Sequence, residues 1–127
     1  MNIPKNHQTV MVYLILDNPE QFISFTKEVF NAELTHKGMR EDGRIMHAEI
    51  SVGENTIMFA QVSDQWKSMT AGIFVYVPSA DKAFDIAIKN GATVITELTD
   101  QPYGRTCGVK DTNGNVWWMT EAIVRSK

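Results

Sequence analysis

Apolar positions along the chain switch between two periods, and the switches repeat. Thr9–Leu16 is an almost unbroken apolar stretch rich in β-branched residues, the pattern of a buried strand. It runs into Asp17-Asn18-Pro19-Glu20, where Asn18 suits an N-cap and Pro19 the first helical position. Glu20 adds an acid in the first turn, which the helix dipole favours. Phe22, Ile23, Phe25, Val29 and Phe30 follow at helical spacing and predict an amphipathic helix with one buried face. Strand-like stretches come next at 33–40 and 44–52. Gly53-Glu54-Asn55 marks a turn, and Thr56–Ala60 supplies a fourth strand.

The same series then begins again. Ala71–Val77 reads as a strand, Ser79 as an N-cap, and Asp81 as the first-turn acid. Ala83, Phe84, Ala87 and Ile88 form the apolar stripe of a second helix. Asn90-Gly91 closes it, since glycine takes the left-handed conformation that ends helices without a Cβ clash. Ala92–Glu97 and Arg105–Lys110 are strands, Asp111–Asn115 is a tight turn, and Val116–Thr120 is the closing strand. Anchors align at an offset of about sixty residues: Gly43-Arg44 with Gly104-Arg105, Gly53 with Gly114, Asn31-Ala32 with Gly91-Ala92. The expected fold is α+β, one domain over 1–127, made of two paired βαβββ modules at about 9–61 and 71–122. Val62–Met69, read as a mostly polar segment around Trp66, links them. Each module is a short sheet with a helix on one face only. Its concave face must be covered, so two modules pair to enclose a cavity, within one chain or across a dimer. Such a space is the usual site for a small molecule.

Composition narrows the function classes. Of 127 residues, 43% are hydrophobic and 21% charged, the balance of an ordinary globular protein. No apolar run reaches the roughly 20 residues that a bilayer requires, so no membrane span is expected. The first residues lack the apolar core of a signal peptide, and a cytoplasmic location follows as the expectation. A net charge of −3, with scattered cations, argues against nucleic acid as a partner. The single Cys107 fits a reducing compartment and reads as a small buried hydrophobe rather than a nucleophile.

The order of elements resembles the vicinal oxygen chelate superfamily of glyoxalases, bleomycin-resistance proteins and dioxygenases. Gly43-Arg44-Ile45-Met46-His47-Ala48-Glu49-Ile50, Pro102-Tyr103-Gly104-Arg105 and Asp111–Trp118 look like its PhnB-like branch. The resemblance covers roughly Val10 to Glu121 and implies the fold, a homodimer and a small-molecule ligand. The places where the first helix often carries Phe-Tyr and Leu-Gly here read Phe25-Thr26 and Phe30-Asn31, which changes packing and the C-cap. Metal-dependent members place His, Glu or Gln ligands on the first and last strands of each module. Those positions fall here on Met11, Met58 (Ile57 in the adjacent register), Gly72 and Trp118. A thioether is a soft ligand, and a slip of one residue brings in only apolar side chains, so no metal and no other cofactor is expected.

The resemblance turns Met11, Gly72, Met58 and Trp118 toward the cavity, and strand alternation then adds Tyr13 and Phe74, so Met11, Tyr13, Met58, Phe74 and Trp118 are expected as apolar and aromatic ligand-binding walls. Met46, Ala48 and Ile50 form an apolar row expected on the helix side, which turns His47 and Glu49 to the concave face. That pair is either a solvated polar face or a catalytic acid–base pair. Arg105, equivalent to Arg44 in the first module, is either an anion-binding group or a surface charge. His7 falls in an N-terminal arm expected to be mobile, and His36 on a polar strand is set aside. Two functions follow. One is a metal-free protein that binds a small aromatic or hydrophobic molecule. The alternative is a glyoxalase-like lyase or isomerase, or a dioxygenase-superfamily enzyme, using Glu49 and His47 or a metal at other positions.

Overall fold

The computed structural model describes residues 1–123; the last four residues of the expected 1–127 domain lie outside the described residues. The duplication is realised as two four-stranded sheets, each with one helix. In the first module, β1 (Val12–Leu16), α1 (Pro19–Phe30), β2 (Glu33–Met39), β3 (Ile45–Val52) and β4 (Asn55–Gln61) form a sheet of order β1-β4-β3-β2. In the second, β5 (Gly72–Tyr76), α2 (Ala80–Lys89), β6 (Thr93–Gln101), β7 (Gly104–Lys110) and β8 (Val116–Ala122) repeat that order as β5-β8-β7-β6. In each sheet only the opening and closing strands run parallel.

Both helices start where the sequence signals them. Asn18 Oδ1 accepts from the Gln21 amide and Ser79 Oγ from the Lys82 amide, each satisfying a donor that the first helical turn leaves free. Gly91 takes φ +94 just past α2, as the closing signal requires.

Two departures from the periodic reading bear on the site. The first strand opens at Val12 rather than Thr9. Val12 pairs with Ile57, so a longer strand would next meet Thr56. The backbone of Thr56 is already occupied: its N–H donates to Gln8 Oε1 and its carbonyl accepts from Gln8 Nε2. The other departure is in β3. Gly38 pairs with His47 but Met39 with Ile45, leaving Met46 as the extra residue of a bulge. Ile45 therefore takes the buried place, and Met46 turns to the opposite face, 55% exposed. The expected helix-side row of Met46, Ala48 and Ile50 is corrected to Ile45, Ala48 and Ile50.

The core lies on the helix side of both sheets and runs through both modules. Phe22, Phe25 and Phe30 of α1 surround Trp117 of β8, with Phe30 nearest at 4.7 Å between ring centroids. The Trp117 Nε1–H donates to Asp111, whose carboxylate also accepts from the Asn115 side chain and from the Asn113 and Asn115 amides. Four donors offset the desolvation cost of placing this carboxylate in the interior. The same turn clamps the first module, because Asn113 exchanges two hydrogen bonds with the Asn18 backbone. The linker folds back too: Met69 and Ile15 exchange both backbone hydrogen bonds, pairing with the outer edge of β1.

With the helix sides joined, the other two sheet faces stay open in a single copy. They carry large apolar side chains that are half exposed, among them Tyr13, Met46 and Met69 on the first and Phe74, Tyr76 and Trp118 on the second. Among the described residues no helix is long and apolar enough to cross a membrane.

Candidate functional site on the open sheet faces

On the first sheet, the open face holds a cavity of 520 Å³ lined by Tyr13, Ile15, Arg40, Met46, Ala60, Trp66 and Met69. Strand alternation supplies Tyr13, Ile15 and Ala60, and the β3 bulge supplies Met46. Trp66 and Met69 come from the linker, and Arg40 stands at the end of β2. Arg40 is the one charged residue of this lining. Its guanidinium Nη2 donates to the Gln61 carbonyl at 3.1 Å, while Nη1 is buried with no hydrogen-bond partner among the described residues.

Beside the cavity runs a polar chain. Glu49 Oε2 accepts from His47 Nε2 at 2.8 Å, and Glu49 Oε1 accepts from His7 Nε2 at 2.8 Å. The other ring nitrogen of His47, Nδ1, lies 3.2 Å from the Tyr13 hydroxyl and accepts from it in the tautomer that carries its proton on Nε2. Burial pushes the Glu49 carboxyl up, but the hydrogen bonds and charges of His47 and His7 outweigh this and hold it below the usual carboxylate range. His36 stands on the same face, its ring centroid 5.7 Å from that of His47. All three histidines of the chain thus gather near Glu49. The arrangement orients an imidazole against a phenol, so a proton can pass between Tyr13 and His47.

The second open face is an aromatic platform. Phe74 and Trp118 are register partners on β5 and β8, and Tyr76 packs edge-on to Phe74 with centroids 5.3 Å apart. Glycines on both flanking strands make room for the Trp118 indole: its benzo edge lies over Gly72 and its pyrrole edge over Gly108.

Of the residues singled out from sequence, Tyr13, His47 and Glu49 are brought together, with Met58 between Tyr13 and Glu49 in register. Phe74 and Trp118 stand on the other sheet. Met11 precedes β1, and its sulfur accepts from the Gln8 amide at 3.3 Å. Arg105 lies apart, on the helix side of β7, paired with Asp81 at 3.1 Å and Asp100 at 3.0 Å. Hydrogen bonds from Arg105 to Asp100 and then Asp81 raise its pKa further. Cys107 is fully buried, and burial pushes its thiol up to about 11, the opposite of an activated nucleophile.

Sequence reasoning missed His7, Arg40, Met46, Trp66 and Met69. The expected mobile arm is instead tied down: Gln8 holds Thr56, Thr56 Oγ1 donates to the Asn6 carbonyl, and His7 reaches Glu49. No local signal marks these contacts, since His7 and Glu49 are 42 residues apart. A bulge likewise leaves no periodic trace. The polarity of His36 and Arg40 beside an apolar hairpin is the one legible hint.

The two four-stranded sheets, each with one helix, match a known architecture. A family model described as the glyoxalase/bleomycin resistance protein/dioxygenase superfamily matches residues 7–119. The chain belongs to that superfamily. Solved members share its fold. The crystal structure of TioX from Micromonospora sp. ML1 is 24% identical, with a TM-score of 0.72 over 91% of this chain and 99% of that one. TnmS3, an antibiotic binding protein from Streptomyces sp. CB03234, is 14% identical with a TM-score of 0.69, covering 92% of this chain and 100% of its own. A PhnB protein from Bacillus cereus is 15% identical with a TM-score of 0.67, covering 91% of this chain and 100% of that one.

The positions that the sequence comparison expects to align with the superfamily's metal ligands hold Met11, Met58, Gly72 and Trp118. This donor set does not fit a hard or borderline divalent cation. Among the described residues no group of three or more His, Cys, Asp or Glu is arranged to hold an ion.

Proposed function

We propose that the protein is a metal-free, cytoplasmic homodimer that binds a small aromatic or hydrophobic molecule between open sheet faces. The observation that carries this reading is the cavity of 520 Å³ walled by Tyr13, Met46, Trp66 and Met69, large enough for a drug-sized ligand. In this reading the aromatic platform of a second copy, Phe74, Tyr76 and Trp118, closes the cavity of the first. Half-exposed side chains on both faces give that closure an apolar driving force. The antibiotic binding described for TnmS3 on the same fold supports a binding role.

A thermal-shift screen of aromatic compounds tests the reading, alongside sedimentation to fix the oligomeric state. A stabilising aromatic ligand whose effect is lost in Tyr13→Ala and Trp118→Ala supports it. Absence of any such ligand, or a monomer at all concentrations, contradicts it. Elemental analysis after addition of zinc, nickel, manganese and iron(II) tests the metal-free part, and near-stoichiometric metal surviving dialysis would overturn it.

One observation favours a second reading, an acid–base lyase or isomerase: the Tyr13–His47–Glu49 chain beside the cavity. Glu49 would fix the His47 tautomer, His47 would exchange the proton, and Tyr13 would present it to the bound molecule. Turnover that disappears in Glu49→Gln while ligand binding persists would move this reading to first place.

A further inference from the structure

We infer that the ligand of the first-module cavity is an anion, an aromatic or hydrophobic molecule bearing a carboxylate or similar group that Arg40 neutralises. The inference rests on the binding reading above and names the chemical class of its ligand.

Arginine stays charged at every accessible pH, and its guanidinium must find acceptors for its N–H groups wherever it is removed from water. Two other cations of the chain meet this demand with carboxylates. Arg105 is held by two carboxylates, and Lys37 by Glu20. Arg40 differs on three counts. It makes no ion pair among the described residues, and Nη2 is satisfied only by the Gln61 carbonyl. Its Nη1 is buried with no partner among the described residues. No acidic side chain lines the cavity with it.

Asp42 and Asp64 line a neighbouring hollow with Arg40, yet neither forms an ion pair with it among the described residues. Asp42 Oδ1 accepts from the Arg44 amide at 2.9 Å, and Glu49 is occupied by two histidines. A cation with an unmet N–H in an apolar wall is costly for folding. Where the Arg40 side chain lines the cavity, it gains a charge-assisted bond once a ligand brings an oxyanion, and the planar fork of arginine suits a carboxylate. The apolar remainder of the wall, Met46, Trp66 and Met69, then takes the hydrophobic body. Arg40 is therefore a specificity-determining residue. It gives the site a sign preference that an all-apolar pocket lacks.

The test compares 2-naphthoate with its neutral isostere 2-naphthamide, titrated into the full-length protein and followed by NMR. The expected result is that naphthoate binds at least about tenfold tighter. In Arg40→Met the preference should fall to within about twofold, chiefly through loss of naphthoate affinity, and Arg40→Lys should keep part of it. Equal affinity of the two probes for the native protein would overturn the anion inference and leave the binding reading standing. A preference that survives in Arg40→Met would also overturn it, placing the anion elsewhere. Failure of both probes at millimolar concentration counts against both readings. The native-protein comparison needs no variant, so it decides the question even if Arg40→Met is unstable.

Discussion

The indole of Trp118 lies across Gly72 so closely that a Cβ there would come within 2.8 Å of its Cζ3. On the other side, a Cβ at Gly108 would lie 3.3 Å from the indole Cδ1 and Nε1. Gly72 is therefore a spacer that lets the ring rest on the sheet. Gly72→Ala should lift the indole off the platform at a stability cost of about 1 kcal/mol, because the ring is partly exposed and can yield. Changed tryptophan emission with a melting temperature lowered by only a few degrees is the expected result. Unchanged emission would mean the ring rests elsewhere in solution.

The neighbouring tryptophan should behave in the opposite way. Trp117 is fully buried among Phe22, Phe25 and Phe30 and bonded to Asp111. Trp117→Ala should cost about 3–5 kcal/mol in urea unfolding, from the cavity it leaves and the donor that Asp111 loses. Trp118→Ala should cost less than about 1 kcal/mol. Comparable losses from the two would contradict the sidedness of β8.

Acid should weaken the Glu49 chain. Its carboxyl titrates below the usual range in the folded protein, so the folded state binds fewer protons there than the unfolded chain. The resulting stabilisation is present above the ordinary glutamate value of about 4.3 and is lost as pH falls through the lower folded value. The stability gap between the native protein and Glu49→Gln should therefore be open at neutral pH and close in strong acid. A gap that widens on acidification would reverse the sign and refute the assignment.

Release of the N-terminal arm can be read at a single amide. Gln8→Ala removes the acceptor of the Thr56 N–H and the donor to its carbonyl. Hydrogen exchange at Thr56 should accelerate, and exchange over residues 1–11 should rise with it, while Ala48, Ile50 and Phe59 keep their protection. Unaltered exchange at Thr56 would show that the arm does not depend on Gln8.

Much of this fold is legible in the order of residues. The caps at Asn18 and Ser79, the stripe of Phe22 and Phe25, and the turns at Gly53 and Gly114 are local signals acting through local physics, and they place both modules. Alternation correctly sets Tyr13, His47 and Glu49 on one face, because in a regular strand position alone decides the side. Alternation fails at Met46, where one inserted residue reverses the face, and at Thr9–Met11, where a glutamine side chain takes the backbone partners a strand would need.

By itself, then, the sequence determined the repeated βαβββ order and the two helix–sheet units. Those features depend on period, capping and residue chemistry, which a linear chain states outright. Only the tertiary structure decided that His7 and His36 join His47 and Glu49, that Trp66 and Met69 wall the cavity, and that Arg40 is left with an unmet N–H. Each depends on which distant backbone or side chain occupies a hydrogen-bonding site first, and that competition is settled only when the modules pack.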